Sequence, residues 1–242
     1  MTRPRIIAHR GASAAAPENT AAAFALAKRV GADAIELDAR LCGSGEAVVF
    51  HDAALDRLAG AEGLVSATPL ERLRELRVAG REPIPTLEEV LRSEERPPGI
   101  VIEIKTDRWS DLGAATEVAV VLEATRALDR GPVTISSFNP LILQKLRTLV
   151  PKVPRALLAH AKQPRPLRQA WAARLVAARE LHLEARMIGP AVVAKAHRAG
   201  RAVVAWTVNE AGEAARLADL GVDGIITDVP ETVLAAVEPR RG

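Results

Sequence analysis

Three carboxylates stand at or near the ends of short apolar runs, where buried sequence gives way to polar sequence. Glu36 and Asp38 lie two residues apart in AIELDARL, and Glu103 lies in IEIK. Residues two apart in a strand face the same side, so Glu36 and Asp38 project together. Converging carboxylates without a cysteine ligand suit Mg²⁺ or Ca²⁺ better than Zn²⁺. The pattern predicts a divalent metal site; the alternative is that these acids form surface ion pairs with arginines.

Two histidines accompany the acids. His9 ends the run IIAH, and His51 follows the run AVVF. An imidazole with a pKa of about 6.5 can accept or donate a proton at neutral pH, and a neutral and a protonated histidine together do both. A single histidine at a strand end is more often a structural hydrogen-bonding group, but a pair beside an acidic cluster indicates catalysis. We therefore expect His9 and His51 to act as general acid and general base, in either order.

The elements that must position these residues alternate along the chain. Short β-branched runs alternate with longer amphipathic runs, which predicts strands followed by helices. Eight such units without a linker predict one (β/α)8 TIM barrel over residues 1–242, with polar residues of the site at one rim. A flavodoxin-like open sheet is the alternative, although it rarely has eight strands. The predicted strands are 5–9, 34–38, 99–105, 133–138, 155–160, 181–184, 202–208 and 224–228. The predicted helices are 19–30, 111–128, 140–149, 167–178, 190–199, 210–220 and 231–237.

One interval, between the second and third barrel strands, breaks this alternation. Its first part, ARLCGSGEAVVFHD, has two extended runs around Gly-Ser-Gly, which predicts a hairpin. With the turn centred near 44–45, Asp38 lies opposite His51, with their Cβ atoms about 5 Å apart. The remainder, at about 53–81, predicts a small insertion with one helix at 69–77, placed over the mouth of the site as a lid.

Composition excludes several classes of protein. The formal charge of +3 is too weak a bias to indicate binding to nucleic acid. The single cysteine, Cys42, excludes an intrachain disulfide and fits a reducing compartment. No run of about 18 apolar residues predicts a membrane span, and the N-terminal segment lacks an apolar signal region. We expect a cytoplasmic protein without stable membrane insertion; the oligomeric state stays open.

Eight ordered segments resemble the glycerophosphodiester phosphodiesterase family, from Ile7 to Glu231. Each segment alone is weak, but eight in the family's order and spacing are specific. The resemblance implies a TIM barrel that hydrolyses glycerophosphodiesters to glycerol 3-phosphate and an alcohol with a divalent metal. The segments are AHRGASAAAPENTAAAF, GADAIELDARL, VVFHDAALDRLAG, PTLEEVL, IEIK, SSFNP, AWTVN and GVDGIITDVPE.

A phosphodiester substrate would need cations and a wall for its organic part. Negative charge grows on the nonbridging oxygens during attack, and a planar guanidinium can hold two oxygens at once. We expect Arg10 to form this clamp and Lys105 to contact substrate as well; a salt bridge from Arg10 to a carboxylate is the alternative, and both roles can coexist. Phe138 and Trp206 stand at strand ends and predict an aromatic wall for the glycerol or head group, with core packing as the alternative for Phe138.

The reaction and the substrate leave alternatives open. The attacking group is either water or, as the family suggests, the glycerol 2-hydroxyl through a cyclic phosphate. A lysophospholipase D-like phosphodiesterase acting on lysophospholipids would need an exposed apolar collar. A non-catalytic phosphate-ligand binding barrel would keep the pocket without turnover.

The family commonly has a Thr-rich stretch after the HD pair, and Ala54 and Leu58 stand there instead, which bears on head-group preference.

Four other polar residues receive no catalytic or ligand-binding role, and a fifth is interpreted as structural. Glu18, in the loop before the first helix, is the structural residue. His160 and Glu184 end predicted strands but match no motif of the family. His182 and His197 are interpreted as surface or helix-face residues without function.

Overall fold

Eight parallel strands close into a barrel in the computed structural model, which describes residues 3–168 and 171–238. The predicted TIM barrel is thereby confirmed. The described strands are β1 (Arg5–His9), β2 (Ala34–Leu41), β3 (Ala47–Val49), β4 (Arg77–Val78), β5 (Glu82–Pro83), β6 (Gly99–Ile104), β7 (Val133–Ser137), β8 (Arg155–Ala159), β9 (Glu180–Glu184), β10 (Ala202–Trp206) and β11 (Gly224–Thr227). In barrel order the strands are β1, β2, β6, β7, β8, β9, β10 and β11, and β1 pairs with both β2 and β11.

Helices pack outside the barrel strands. The described α-helices are α1 (Ala21–Arg29), α2 (Asp56–Ala59), α3 (Leu70–Glu75), α4 (Leu87–Arg92), α5 (Gly113–Ala124), α6 (Ala127–Arg130), α7 (Pro140–Leu149), α8 (Arg165–Arg168), α9 (Pro190–Arg198), α10 (Ala211–Asp219) and α11 (Pro230–Val237). Short 3-10 turns lie at Val65–Ala67, Trp171–Ala173 and Ala185–Met187. None of these helices is both long and apolar enough to cross a membrane.

Two predicted helices differ from the structure. The run predicted at 111–128 is divided into α5 and α6 because Arg126 takes a left-handed conformation with φ of +50°. The prediction at 167–178 is wrong over 171–178, which holds one 3-10 turn, and residues 169–170 lie outside the described residues. Ala177 has φ of +49°, which a continuing right-handed helix does not permit.

Helix α4 was not among the predicted helices. A capping box begins it: the Thr86 hydroxyl accepts from the Glu89 backbone N–H, and the Glu89 carboxylate accepts from that of Thr86. The sequence Thr-Leu-Glu-Glu carried this signal, because Ser or Thr three residues before Glu marks a helix start.

The parallel register gathers the polar ends of neighbouring strands. His9 is the register partner of Glu36, and Asp38 is the partner of Glu103. Below them a small apolar cluster packs inside the barrel, including Ile7, Val204 and Ile226. The inner core thus ends where these polar side chains begin.

The predicted hairpin is present, but its register differs from the prediction by one residue. β2 pairs antiparallel with β3 so that Ala39 lies opposite Val49, and the Phe50 N–H donates to the Asp38 carbonyl. The turn is centred on Ser44, between Cys42 and Glu46, whose backbone groups hydrogen-bond across it at 3.0 Å. Asp38 therefore lies opposite Phe50, and His51 follows just beyond the hairpin.

The insertion at 53–81 holds more structure than the single predicted helix. It contains α2, a 3-10 turn, α3 and one strand of the β4–β5 hairpin. Its apolar side chains form their own core with the β3 strand, including Leu55, Val65, Leu73 and Val78. The insertion is thus a packed unit attached to the β2–β3 hairpin.

Candidate active site

A cavity of about 180 Å³ lies at the carboxyl ends of the barrel strands. It contains every residue predicted to be catalytic or to bind substrate, and two of the three predicted metal ligands, Glu36 and Glu103. The third, Asp38, is completely buried beside them. The lining residues are His9, Arg10, Glu36, His51, Glu103, Lys105, Ser136, Phe138, Leu158, His182, Trp206, Thr207 and Ile226.

The three predicted metal ligands form a compact buried group. One oxygen each from Glu36, Asp38 and Glu103 lies within 4.8 Å of the others. Asp38 Oδ1 and Glu103 Oε1 are buried, and Lys105 Nζ lies 3.1 and 2.6 Å from them. Carboxylate oxygens of this kind fit a hard divalent cation.

The electrostatics of this group also favour a cation. Burial disfavours the charged form and, together with the repulsion of Asp38, raises the pKa of Glu36. Burial raises the pKa of Glu103 too, against the attraction of Lys105. For Asp38 burial acts in the same sense, but Lys105 and Arg10 outweigh it and lower the pKa. A bound cation would allow all three carboxylates to be ionised together.

His9 is oriented by a carboxylate from the last barrel strand. Its Nδ1 donates to Asp228 Oδ1 at 2.6 Å, which directs Nε2 toward the cavity, 3.9 Å from Glu36 Oε2. Burial alone would lower the pKa of His9, but the hydrogen bond to Asp228 and the charge of Glu36 outweigh it and raise the pKa. The protonated form of His9 is therefore favoured.

His51 is oriented in the same way by its neighbour in sequence. Its Nδ1 donates to Asp52 Oδ1 at 2.6 Å. Here burial prevails: it lowers the pKa of His51, helped by the positive charges of Lys105 and Arg10, against Asp38 and Asp52. The pKa values of the two histidines are thus shifted in opposite directions. The shifts favour the neutral form of His51 and the protonated form of His9.

Arg10 lines the cavity while also making the salt bridges that were its alternative role. Its backbone is left-handed, with φ of +56°, and its N–H donates to Glu36 Oε2 at 3.1 Å. The guanidinium donates to Glu18 Oε1 at 2.8 Å, and its Nε lies 3.2 Å from Asp38 Oδ2. Glu18, interpreted as structural, therefore holds a residue that faces the cavity.

Aromatic rings also line the cavity. Phe138 and Trp206 meet edge to face with ring centroids 5.7 Å apart, and His160 packs edge to face against Phe138 at 5.5 Å. Glu184 lies outside the cavity lining and accepts from the Ala161 N–H. The cavity lining therefore combines charged and aromatic side chains.

The interpretation of His182 as a surface residue is wrong. It is completely buried in β9, lines the floor of the cavity, and its Nε2 lies 3.0 Å from Glu180 Oε2. Parallel barrel strands are covered on both faces, so every side chain of β9 is candidate interior. His197, in contrast, lies on α9 and pairs with Asp223 at 2.8 Å.

Sequence reasoning missed three residues that support the site. Asp228 was assigned only to the end of the last strand, and barrel closure brings it beside His9 because Ala8 pairs with Thr227. Asp52 carried a signal in being adjacent to His51. Asn19 donates to Asp38 Oδ2 at 2.8 Å and is buried, so it fixes the orientation of that carboxylate.

Comparisons with known proteins agree on one family. The family model described as the glycerophosphoryl diester phosphodiesterase family matches residues 9–232. A glycerophosphodiester phosphodiesterase of Caldanaerobacter subterraneus subsp. tengcongensis is 36% identical, covering 98% of both chains, and one of Bacillus altitudinis is 32% identical, covering 98% of this chain and 99% of its own. A solved phosphodiesterase of Oleispira antarctica, in complex with the product sn-glycerol-3-phosphate, superimposes with a TM-score of 0.89 at 30% identity, covering 98% of each chain.

Proposed function

The chain belongs to the glycerophosphoryl diester phosphodiesterase family, and from that premise we propose that it hydrolyses glycerophosphodiesters to glycerol 3-phosphate and an alcohol. One observation carries the proposal: two histidines, each anchored by its own carboxylate, line one cavity with a buried three-carboxylate cluster. Such groups can supply the proton transfers and, through a bound cation, the charge neutralisation of phosphodiester hydrolysis. The relative from Oleispira antarctica with bound sn-glycerol-3-phosphate supports the same product.

Glu36, Asp38 and Glu103 are proposed to hold one divalent cation, Mg²⁺ or Ca²⁺. Such an ion supplies Lewis acidity and neutralises charge on the phosphoryl oxygens. The all-oxygen donor set and the closeness of three buried carboxylates support this assignment. Asn19 and Lys105 keep the carboxylates in place by contacting Asp38.

The two histidines are proposed to carry out the two proton transfers of the reaction. Neutral His51 accepts the proton of the attacking water or glycerol 2-hydroxyl, whose oxygen forms the new bond to phosphorus. The bond from phosphorus to the alcohol oxygen breaks, and protonated His9 donates its proton to that oxygen. When the 2-hydroxyl attacks, water then opens the cyclic phosphate with the two roles reversed, and the 2-oxygen receives the proton. The opposite directions of the two pKa shifts support these roles. Asp52 and Asp228 hold each ring so that Nε2 is the nitrogen that faces substrate.

The remaining cavity residues are proposed to bind the diester. Arg10 and Lys105 are the cations of the cavity lining and would contact the nonbridging oxygens, where negative charge grows during attack. Phe138 and Trp206 would pack against the glycerol or the head group. Since Arg10 is already paired with Glu18, its guanidinium is held in place before substrate arrives.

A coupled assay of glycerol 3-phosphate release tests the function. The protein would be supplied with choline, ethanolamine, glycerol and inositol diesters, each with Mg²⁺, Ca²⁺ or Mn²⁺. We expect metal-dependent release from at least one diester. Binding of a diester without release under any metal would contradict hydrolysis and favour the non-catalytic alternative.

A further inference from the structure

Arg57, on helix α2 of the insertion, contacts two carboxylates at once. Its Nε donates to Asp52 Oδ2 at 2.5 Å, and its Nη2 donates to Asp52 Oδ1 at 3.0 Å. The same guanidinium donates to Glu18 through Nη2 at 3.1 Å and Nη1 at 3.3 Å. A planar guanidinium can contact both oxygens of each of two carboxylates, whereas a lysine ammonium acts as a single point charge.

Each of these carboxylates also contacts a residue that lines the cavity. Asp52 Oδ1 accepts from His51 Nδ1 at 2.6 Å, and Glu18 Oε1 accepts from Arg10 Nη1 at 2.8 Å. Arg57 itself is outside the cavity lining. It therefore lies behind both His51 and Arg10, one step removed from the substrate.

The insertion core holds helix α2 in place. Leu55, just before the helix, is buried, and its N–H donates to the Gly63 carbonyl at 3.0 Å. The Leu58 carbonyl accepts from the Ala79 N–H at 2.9 Å, and the Leu58 side chain packs against the insertion core. The guanidinium of Arg57 thus extends from a fixed backbone.

We infer that Arg57 is a positioning residue of the proposed reaction: by bridging Asp52 and Glu18, it fixes His51 and Arg10 in the orientation that the substrate requires. This gives the insertion a role in catalysis through a residue that touches no reacting atom. Ion pairs of a half-exposed side chain such as Arg57 contribute little to stability by themselves. Any large loss of activity on removing Arg57 would therefore come from the orientation of its partners. The role inferred for Arg57 rests on the proposed function.

Arg57 also affects proton uptake by His51. The charged groups around His51 are Asp52 in its own segment, Asp38 from β2, Lys105 after β6 and Arg10 after β1. Arg57 neutralises part of the charge on Asp52. Its removal leaves Asp52 better able to stabilise protonated His51, which raises the pKa of the base. The acidic limb of the rate profile then moves to higher pH.

Four proteins test the inference: the wild type, Arg57→Gln, Arg57→Lys and Arg72→Gln, each assayed for diester hydrolysis across pH at saturating metal. Arg72, on α3 of the same insertion, pairs with the surface residue Glu75 and serves as the matched control. We expect Arg57→Gln to lower kcat by about tenfold or more and to move the acidic limb upward. Arg57→Lys should lie between it and the wild type, and Arg72→Gln should match the wild type.

Thermal unfolding of each variant separates positioning from stability. If Arg57→Gln fails to fold, Arg57→Lys carries the same comparison. A folded Arg57→Gln enzyme with wild-type kcat and an unmoved acidic limb would overturn the inference, as would equal losses in Arg57→Gln and Arg72→Gln. An inactive wild type would instead contradict the proposed function.

Discussion

His9 and His51 each donate their Nδ1 proton to a carboxylate, so Nε2 is the nitrogen available to substrate. The pKa values of the two rings are nevertheless shifted in opposite directions. Burial lowers the pKa of both, but Asp228 and Glu36 outweigh it at His9, whereas Lys105 and Arg10 add to it at His51. Two identical side chains can thus take opposite roles in proton transfer because their surroundings differ.

Replacing His51, the proposed general base, tests this assignment of roles. His51→Ala should fold and bind metal but lose about 10²-fold or more in kcat, the usual scale for losing general base catalysis. Steady-state hydrolysis of a glycerophosphodiester measures it. His197→Ala is the matched control, because His197 also pairs with a carboxylate but lies outside the cavity. Near-normal turnover by His51→Ala would contradict the assignment.

The carboxylate cluster makes a separate prediction. Glu103→Gln keeps the shape of the ligand but removes its charge, so metal affinity should fall by about tenfold or more. Titration of activity with metal, and calorimetry with the metal alone, would measure the change. Glu71→Gln, on α3, is the control.

A chelator supplies the complementary test for the wild-type protein. EDTA should abolish its activity, and excess Mg²⁺ or Ca²⁺ should restore it. Full activity in EDTA would exclude the metal from the reaction.

At the scale of elements, the turn after β1 sets the position of Arg10 and of α1. Gly11 has φ of +84°, and a Cβ there would lie 2.6 Å from the Ala23 Cβ. The turn therefore requires glycine both for its backbone conformation and for its closeness to α1. Ala12 continues this contact by donating to the Ala23 carbonyl at 3.0 Å.

Gly11→Ala should accordingly destabilise the protein and displace Arg10. Gly31→Ala is the matched control, since Gly31 has φ of +83° and open space around it. Left-handed strain costs about 1–2 kcal/mol in both variants, and the contact with Ala23 should add about 1–3 kcal/mol in Gly11→Ala alone. Denaturant unfolding measures the difference. Equal free energies of unfolding for the two variants would contradict the close-packing argument.

At the scale of the whole molecule, the features that could be predicted from the sequence were those that depend on local sequence pattern. Glu36 and Asp38 were recognisable because two-residue periodicity in a buried strand is local, and the strand 5–9 is observed at the same residues. Asp228 was missed because its contact with His9 depends on closure of the barrel, across 219 positions of the chain. The residues that line the cavity were thus more predictable than the groups that hold them in place.

The other errors have similar physical causes. His182 was misplaced because a strand buried on both faces shows no polar alternation to mark the inward side. The hairpin register was displaced by one residue because it depends on the turn geometry around Ser44. Arg57 carried no signal as a single charged residue in a polar insertion, because its contacts with Asp52 and with the more distant Glu18 depend on the folded structure.

The pH dependence of kcat/KM at saturating metal tests the central claim most directly. His51 must be neutral, so activity should fall as pH decreases through its lowered pKa; His9 must be protonated, so activity should fall as pH increases through its raised pKa. We predict a bell-shaped profile in which the residual activity of His51→Ala lacks the acidic limb and that of His9→Ala lacks the alkaline limb. Both limbs persisting unchanged in these variants would contradict proton transfer by the two histidines.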